Sequence, residues 1–316
     1  MSGDRSPTGL AAPLVTAILP LKNYHERFLR AALGSMFAQS SSTWRLIVVV
    51  EPEDQAQFTA LLATELTDAR IMLIVNTGRK LAGAINTGMK AASTNFVAIL
   101  LGDDLWDVHA VEVLEQSILA HPEADFFHSA RRVIDEHDQL ISNVYPARVS
   151  FTLADFWQGS PVKHLLCWRR ELGLAVGGVD ESLNSVGPDD YDFPWVMAEH
   201  GARFHAIQDC LYIYRDHREG YRLTTHQPLD HHVREIDRIL IKHDVPAHER
   251  TRILRAASKG YLRQCLYRNA RDQRWKDWLG FDASRGWRER YFKPSGGPRW
   301  SGRLSRWWTV LFRRIH

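Results

Sequence analysis

Cysteine is scarce in this sequence of 316 residues, which contains only Cys167, Cys210 and Cys265. Their number is odd, they lie far apart, and their spacing does not match that of zinc ligands. The pattern therefore excludes a disulfide framework and a cysteine-based zinc site. We expect three reduced thiols in the core or on the surface.

Long apolar runs are also absent. No uninterrupted run approaches the roughly 18 residues that a membrane span requires, and residues 1–13 lack the basic and apolar regions of a signal peptide. The hydrophobic content of 45% is ordinary for a globular core. These features predict a soluble, cytoplasmic protein with one large α/β domain and an appended piece.

The charges are unevenly distributed. The formal net charge is only +3, but residues 251–316 hold 17 Lys and Arg against 4 Asp and Glu, which leaves 23 against 33 in residues 1–250. A basic tail on an acidic body indicates an anionic partner. A membrane surface, a nucleic acid and a polyanionic product all stay open at this point.

Apolar runs and helical spacing alternate along residues 14–101. The predicted strands are Leu14–Pro20, Trp44–Val50, Ile71–Val75 and Phe96–Leu101, and the predicted helices between them include Glu26–Phe37 and Gln57–Leu66. This alternation favours an α/β fold with a mostly parallel central sheet wound with helices. Ligands of such folds bind at the carboxyl edge of the sheet, where we expect the binding crevice.

Two adjacent carboxylates, Asp103 and Asp104, directly follow the last of these strands. Neighbouring carboxylates repel each other and resist desolvation, so they need a compensating partner. A divalent cation, Mg²⁺ or Mn²⁺, would serve. The alternative is that one of them caps a helix that begins near Val108.

Two further polar clusters also follow or adjoin apolar elements. Asp189 and Asp190 lie in the segment Gly187–Phe193, and His217 follows a predicted strand, Cys210–Tyr214. The two aspartates would also suit the first turn of a helix, where carboxylates favour the helix dipole. A histidine such as His217, taken alone, is more often a satisfied surface or core residue than a ligand.

The order of these segments resembles that of the family 2 inverting glycosyltransferases, which have a GT-A fold. The resemblance covers roughly residues 15–224, and no single motif in it is specific, whereas the joint order is. The matching features are Pro20 after the first strand, Glu51 after the second, Asn76 with Gly78, Asn86 with Gly88, Asp103 with Asp104, and the segments Val176–Asp180, Gly187–Phe193 and Tyr214–His217.

The resemblance implies a role for each cluster. Asp103 and Asp104 would hold a divalent metal ion across the diphosphate of a sugar nucleotide, and His217 would add a metal or phosphate contact. Asp190 matches the base that removes the proton of the acceptor hydroxyl. Asp189 would help to position the acceptor.

The resemblance also implies a pocket for the nucleotide sugar. The expected contacts are Pro20, Glu51, Glu53, Asn76, Gly78, Arg79, Lys80, Asn86 and Asp103. Two positions depart from the family pattern: Leu101 replaces the first Asp of its fuller metal motif, and Ile85 replaces an Arg that contacts the diphosphate. Arg79 or Lys80 could substitute for that Arg. Without the resemblance, the Asn and Gly residues would be read as turn and cap residues.

We predict four parts along the chain. Residues 1–13 form a mobile leader, 14–224 the GT-A catalytic domain, 225–294 a helical extension, and 295–316 a linker with a basic amphipathic helix. Within the catalytic domain, residues 14–124 would bind the nucleotide sugar and residues 125–224 the acceptor.

The last part has apolar residues at helical spacing, with arginines on the remaining faces. The apolar residues are Leu304, Trp307, Trp308, Leu311, Phe312 and Ile315. Residues 301–316 are therefore predicted to bind an anionic membrane surface. In the alternative, this face packs on the catalytic domain or on a second subunit of an oligomer.

Together these features predict a metal-dependent inverting glycosyltransferase on the cytoplasmic face of the membrane. It would transfer a sugar from a nucleotide-sugar donor to a glycan or lipid-linked acceptor in cell-surface polysaccharide synthesis. One alternative is a nucleic-acid-binding protein, which the Arg- and Trp-rich C terminus would suit but which leaves the acidic strand ends unexplained. A nucleotidyltransferase is the other alternative.

Overall fold

The computed structural model describes residues 12–22, 24–183, 186–216 and 228–271. The chain divides into two compact units, residues 1–264 and 265–316, and the described part of the second is residues 265–271. His217, the leader as far as residue 11 and the linker and amphipathic helix at residues 295–316 lie outside the described residues. These predictions, and the four-part division of the chain, stay predictions.

The first part of the structure alternates strands and helices as the sequence predicts. Its elements are β1 Val15–Leu21, α1 Glu26–Phe37, β2 Trp44–Val50, α2 Gln55–Leu61, β3 Ile71–Val75, α3 Lys80–Ala91 and β4 Phe96–Ile99. The bounds of α1, β2 and β3 are those predicted from the sequence. β1 continues one residue beyond Pro20, whereas β4 ends two residues earlier than predicted.

The second part mixes strands with shorter helices. Its elements are β5 Leu105–Trp106, α4 Ala110–Ala120, β6 Phe126–Ile134, β7 Leu166–Arg169, α5 Arg170–Ala175, α6 Phe193–Glu199, β8 Phe204–Arg215, α7 Leu229–Lys242 and α8 Ala247–Arg271. β5 was not predicted. The sequence suggests two short strands, Phe126–Phe127 and Arg131–Ile134, where the structure has the single strand β6. β8 extends six residues further towards the N terminus than predicted.

The eight strands form one sheet in the order β3-β2-β1-β4-β7-β6-β8-β5. The pairs β2–β3, β1–β2 and β1–β4 are parallel, as is β6–β8. The pairs that involve β7 or β5 are antiparallel. The α/β prediction with a mostly parallel sheet is confirmed.

The core explains why β1 and β4 lack polar alternation. Successive side chains of a strand point to opposite faces of the sheet. Leu19 joins a cluster on one face with Phe96 and Leu114, and Ile18 joins a cluster on the other with Val97 and Ile85 of α3. Both faces of the sheet are therefore covered, and the strands are apolar throughout.

Strand register brings the predicted donor residues to one edge. Leu21 pairs with Val50 and Val50 with Val75, so Glu51 and Asn76 follow neighbouring strands at the same level. β4 pairs with β1 so that Ile99 lies beside Ile18, and the chain then turns towards Asp103. This carboxyl edge is where ligands of open α/β sheets bind.

Among the described helices, none is long and apolar enough to cross a membrane.

Candidate functional site

Asp103 and Asp104 lie in a tight turn after β4, but their environments differ. The N–H of Asp104 donates to the carbonyl of Leu101 at 3.2 Å. Asp104 is 0% exposed, whereas Asp103 is partly exposed. Helix α4 begins only at Ala110, after His109, so neither aspartate caps it. The capping alternative is therefore wrong.

Both carboxylate oxygens of Asp104 are used inside the protein. Oδ2 accepts a hydrogen bond from the Tyr212 hydroxyl at 2.7 Å, and Oδ1 accepts one from the N–H of Arg215 at 2.7 Å. Burial raises the pKa of Asp104 well above its ordinary value, and the charge of Asp103 adds to the shift. Asp104 thus joins the end of β4 to the end of β8. Its role as a metal ligand stays a prediction, and the partly exposed Asp103 is better placed for that role.

The buried side chain of Arg215 completes this joint. Its Nε donates to the carbonyl of Asp103 at 2.9 Å and its Nη1 to the carbonyl of Asp135 at 3.0 Å, with a further ion pair to Asp138. The guanidinium carbon lies 4.5 Å from the centroid of the Phe28 ring. Sequence reasoning noted Arg215 only as a neighbour of His217 and missed this function.

Asp189 and Asp190 lie in a single π-helical turn, Pro188–Asp192, immediately before α6. Such turns are rare and frequently occur at functional sites. Asp189 is buried and Asp190 is partly exposed. Burial, with a contribution from the charge of Asp190, raises the pKa of Asp189 from 3.8 to about 7.

A buried ionic network anchors this π-helical turn to α7. The carboxylate of Asp192 accepts from Lys242 Nζ at 2.7 Å and contacts His243 Nε2 at 3.0 Å. His243 also contacts Glu199 at 2.9 Å and stacks on the Trp195 ring, with centroids 4.0 Å apart. No sequence motif indicated this network, because its members are spread over residues 192–243.

His164 lies between the two acidic clusters. Its Nε2 is 3.9 Å from Asp189 Oδ2, and its ring stacks on Tyr212, the residue whose hydroxyl binds Asp104. Burial lowers the pKa of His164 to about 4, and the charges of Asp190 and Asp103 oppose this shift. The structure therefore brings Asp103, Asp104, Asp189 and Asp190 around one side chain that the sequence reasoning missed.

The loop that precedes α3 is held by its own asparagines. Asn76 donates to Glu51 and to the carbonyl of Lys80, both at 3.1 Å, and its Oδ1 accepts from the N–H of Gly78 at 2.9 Å. A Cβ on Gly78 would lie 2.7 Å from the Cα of Gly83. Asn76 and Gly78 therefore hold a turn, whereas Asn86 and Gly88 lie inside α3 and are neither turn nor cap residues. The contact of Asn76 and Gly78 with a nucleotide stays a prediction.

Asn86 joins α3 to the segment before the π-helical turn. Its side chain exchanges hydrogen bonds with the backbone of Val179 at 2.8 and 2.9 Å and donates to Glu181 at 3.1 Å. Glu181 also accepts from the N–H of Arg79 at 2.8 Å. Glu181 carries no motif of its own, and sequence reasoning missed it.

The remaining predicted donor contacts differ in their local environments. Pro20 lies inside β1, and Glu51 is bound by Asn76. Glu53 is exposed and forms an ion pair with Lys22 at 3.7 Å. Lys80 opens α3 with a φ of 54° and an exposed side chain.

Among the described residues, no three His, Cys, Asp or Glu side chains form a ready-made metal site. Mg²⁺ in phosphate-binding sites usually takes only one or two protein carboxylates and fills its other positions with phosphate and water. The partly exposed carboxylate of Asp103 at the sheet edge fits this arrangement.

Residues 16–168 match the family model Glycosyl transferase family 2. This segment, just under half of the chain, is therefore similar to glycosyltransferase family 2. The match supports the glycosyltransferase prediction and gives no support to the nucleic-acid-binding alternative.

Two curated relatives extend this finding. The chain is 30% identical over 139 residues to the UDP-Glc:alpha-D-GlcNAc-diphosphoundecaprenol beta-1,3-glucosyltransferase WfgD of Escherichia coli, covering 44% of this chain and 53% of WfgD. It is 25% identical over 209 residues to the O-antigen biosynthesis protein RfbC of Myxococcus xanthus, covering 65% and 16% respectively. The chain thus spans about half the length of the first relative and less of the second.

Solved structures confirm the GT-A fold. The S. aureus TarS 1–349 complex with UDP-GlcNAc superposes with a TM-score of 0.56 at 16% identity, over 81% of this chain and 72% of TarS. The mannosyltransferase PcManGT from Pyrobaculum calidifontis, in complex with GDP-Man and Mn²⁺, superposes with a TM-score of 0.55 at 19% identity, over 91% and 86%.

Proposed function

We propose that this protein is a metal-dependent inverting glycosyltransferase that uses a nucleotide diphosphate sugar as donor. The acceptor is the hydroxyl of a lipid-linked glycan, and the reaction belongs to polysaccharide synthesis at the cytoplasmic face of the membrane. The acceptor class is supported by WfgD, whose name specifies a diphosphoundecaprenol acceptor. The donor class is supported by the complexes of TarS and PcManGT with sugar nucleotides.

The observation that carries the proposal is the convergence of two acidic clusters around His164. Asp103 lies at the carboxyl edge that follows β4, and Asp190 lies in the π-helical turn before α6. Asp189, next to Asp190, lies 3.9 Å from His164, and the His164 ring stacks on Tyr212, whose hydroxyl binds Asp104, next to Asp103. The donor site, with Asp103, and the acceptor site, with Asp190, would therefore adjoin each other.

Asp190 is the proposed base. It is partly exposed, so an acceptor hydroxyl can come within hydrogen-bond reach, and its removal of the hydroxyl proton lets the oxygen attack the anomeric carbon. Attack from the side opposite the leaving group inverts the anomeric centre. Asp189, buried behind it, positions the acceptor, and the anchor from Asp192 to Lys242 and His243 fixes the turn that carries both.

Asp103 is the proposed protein ligand of a divalent cation, Mn²⁺ or Mg²⁺. When bound, the cation offsets the negative charge that develops on the departing nucleoside diphosphate. Asp104 fixes the turn that carries Asp103, because its two hydrogen bonds join this turn to β8. Glu51, Asn76, Gly78, Asn86 and His217 are proposed to line the rest of the donor site.

The proposal is tested with a panel of sugar nucleotides in the presence of Mn²⁺ or Mg²⁺, by thermal stabilisation and by product analysis. A glycosyltransferase releases a nucleoside diphosphate, whereas a nucleotidyltransferase releases pyrophosphate. Asp103→Asn is expected to lose metal-dependent nucleotide binding. Asp190→Asn is expected to bind the donor normally and to lose roughly 10²- to 10⁴-fold in transfer.

Asp209→Asn provides the matched control, because Asp209 is an exposed aspartate on β8. It should behave as the wild type in both assays. Full transfer activity in Asp190→Asn would refute the base assignment, and the absence of binding to any sugar nucleotide would refute the proposed function.

A further inference from the structure

Lys163 is a partly buried lysine beside the proposed base. It directly precedes His164, in the segment that leads into β7. Burial lowers the pKa of Lys163, the charge of Asp190 opposes this shift, and the charge of Arg131 adds to it. Among the described residues, no hydrogen bond or ion pair engages its ammonium group. Lys163 is therefore a cation that is favoured by the charge of Asp190 but forms no direct ion pair with a described residue.

Arg131, in β6, is the second cation at this place. Its buried Nε has no hydrogen-bond partner among the described residues. Its guanidinium carbon lies 5.8 Å from the ring centroid of Tyr145 and 5.7 Å from that of Tyr214. The charges of Arg131 and Lys163 both lower the pKa of His164.

β6 and β7 are antiparallel with His128 beside Leu166, and the N–H of Ser129 donates to the carbonyl of Leu165 at 3.3 Å, so the segment with Lys163 lies alongside the part of β6 that carries Arg131. The neighbour of Lys163, His164, lies 3.9 Å from Asp189, the residue before Asp190.

Two partly desolvated positive charges that repel each other are unfavourable unless an anion joins them. Phosphate is the anion that suits this pair, because arginine and lysine both bind phosphate oxygens with charge-assisted hydrogen bonds. Both cations lie in the predicted acceptor half of the catalytic domain. The phosphate group of an acceptor fits this place because the charge of Asp190, the proposed base, acts on Lys163. The charge of Arg131 also lowers the pKa of Asp104, so a donor probe is needed to separate the two assignments.

An apolar surface adjoins Arg131. Of the 11 large apolar side chains that are exposed among the described residues, six lie in residues 140–153: Leu140, Ile141, Val144, Tyr145, Val149 and Leu153, with exposures from 45% to 75%. This segment, the apolar strip, contains one charged residue, Arg148, and no acid. Exposed apolar patches of this kind mark binding surfaces.

Backbone hydrogen bonds hold the apolar strip against the cationic pair. The N–H of Arg131 donates to the carbonyl of Tyr145 at 3.0 Å, and the N–H of Tyr145 donates to the carbonyl of Arg131 at 2.7 Å. Ile141 donates to the carbonyl of Val133 at 2.9 Å. The strip therefore begins beside Ile134, runs antiparallel to β6 and passes Arg131 at Tyr145. An apolar surface thus adjoins a cation, a combination that matches a lipid phosphate.

We propose that Lys163 and Arg131 bind the diphosphate of a lipid-linked acceptor and that the apolar strip binds its hydrocarbon chain. The identity of the ligand as acceptor rests on the proposed function. The existence of a site for a lipid diphosphate does not rest on the proposed function, because it can be measured by binding alone.

The test measures binding to the full chain of three probes in EDTA: farnesyl diphosphate, inorganic pyrophosphate and farnesol. UDP with Mn²⁺ is the fourth probe and reports the donor site. Lys163→Gln and Arg131→Gln are expected to weaken farnesyl diphosphate and pyrophosphate roughly ten- to hundredfold, and to leave UDP unchanged. Arg132→Gln is the matched control. Arg132 is next to Arg131 in β6, but its charge lowers the pKa of Cys210.

The apolar strip is tested with Val144→Ser and Val149→Ser. Each is expected to weaken farnesyl diphosphate roughly three- to tenfold and to leave pyrophosphate unchanged. Val108→Ser, an exposed valine outside the strip, should have no effect.

Three results would overturn the proposal. Equal loss of UDP affinity in Lys163→Gln and Arg131→Gln would assign the cations to the donor. Unchanged binding of both phosphate probes in these variants would remove the site. Loss of binding to phosphatidylglycerol vesicles in the valine variants, with farnesyl diphosphate unaffected, would assign the strip to the membrane surface. Failure of the proposed function is seen separately, as a lack of binding to any sugar nucleotide.

Discussion

The regions that we propose to bind the donor and the acceptor differ in how their polar groups are satisfied. In the donor region, Asn76 and Asn86 use both their amide and their carbonyl groups in hydrogen bonds within the protein. In the acceptor region, His164 Nδ1 and Arg131 Nε are buried without a hydrogen-bond partner among the described residues. Buried polar groups without partners are unfavourable. We infer that the loop held by Asn76 and Asn86 is formed in advance and that a ligand completes the proposed acceptor region. Arg215 Nη2, at the joint between the two regions, is likewise buried without a hydrogen-bond partner among the described residues.

The largest expected effect concerns the anchor of the acceptor region. Asp192→Ala should lower the free energy of unfolding by about 3–5 kcal/mol, because it leaves Lys242 and His243 without their buried carboxylate. Urea unfolding measures this, and UDP binding by the folded fraction should persist. The control, Asp180→Ala, removes a more exposed partner of Lys242 and should cost less than about 1 kcal/mol. Equal losses in the two variants would contradict the anchoring role.

The next effect depends on pH. The folded-state pKa of Asp189 is about 7 against an ordinary 3.8, so the folded protein binds this proton more tightly than the unfolded chain. The stability that Asp189 contributes is complete below about pH 4 and is lost as the pH rises through about 7, by up to about 4 kcal/mol. Asp189→Asn should abolish this loss in unfolding measured from pH 4 to 8, whereas Asp209→Asn should keep it. An unchanged pH profile in Asp189→Asn would show that another group is responsible.

In the donor region, Asn86→Ala should lower the free energy of unfolding by roughly 2–3 kcal/mol. The substitution leaves the N–H and carbonyl of Val179 without their side-chain partner. Because Asn86 also orients Glu181 against Arg79, the affinity for UDP should fall as well. Affinity for farnesyl diphosphate is the comparison, and it should be unchanged. A loss of equal size for both ligands would mean that the two regions are not formed independently.

The smallest effect is expected at Glu53. Its ion pair with Lys22 is exposed, so Glu53→Gln should change the free energy of unfolding by less than about 0.5 kcal/mol. The informative measurement is the affinity for UDP. A decrease supports the predicted contact of Glu53 with the nucleotide sugar, and an unchanged value leaves Glu51 as the acidic residue of that pocket.

Local sequence patterns predicted the first half of the fold well. The apolar runs of β2 and β3 and the apolar face of α1 are bounded by polar or Gly and Pro residues, so their ends could be read from neighbouring residues. β5 could not be predicted in this way. It has two residues and exists because Leu105 and Trp106 pair with Ile213 and Tyr212 of β8, a partner more than one hundred positions away.

The same limit applies to the site. Asp103, Asp104, Asp189 and Asp190 stand out as acidic clusters beside apolar elements, and the structure brings them together. Their division into buried and partly exposed members depends on Tyr212, Arg215 and the π-helical turn, which no local pattern reveals. His164 and Lys163 were missed because a single polar residue before an apolar strand has no distinctive spacing.

The contacts of Arg215 limit which segment can be replaced to change the acceptor specificity. Arg215 binds the turn at residues 135–138 as well as the backbone of Asp103, and the apolar strip begins directly after that turn. A chimaera that replaces residues 135–153 as one block would therefore disturb the donor edge together with the acceptor surface. Replacing residues 140–153 alone, with the turn kept, exchanges the surface that we assign to the lipid and leaves the end of β4 in place.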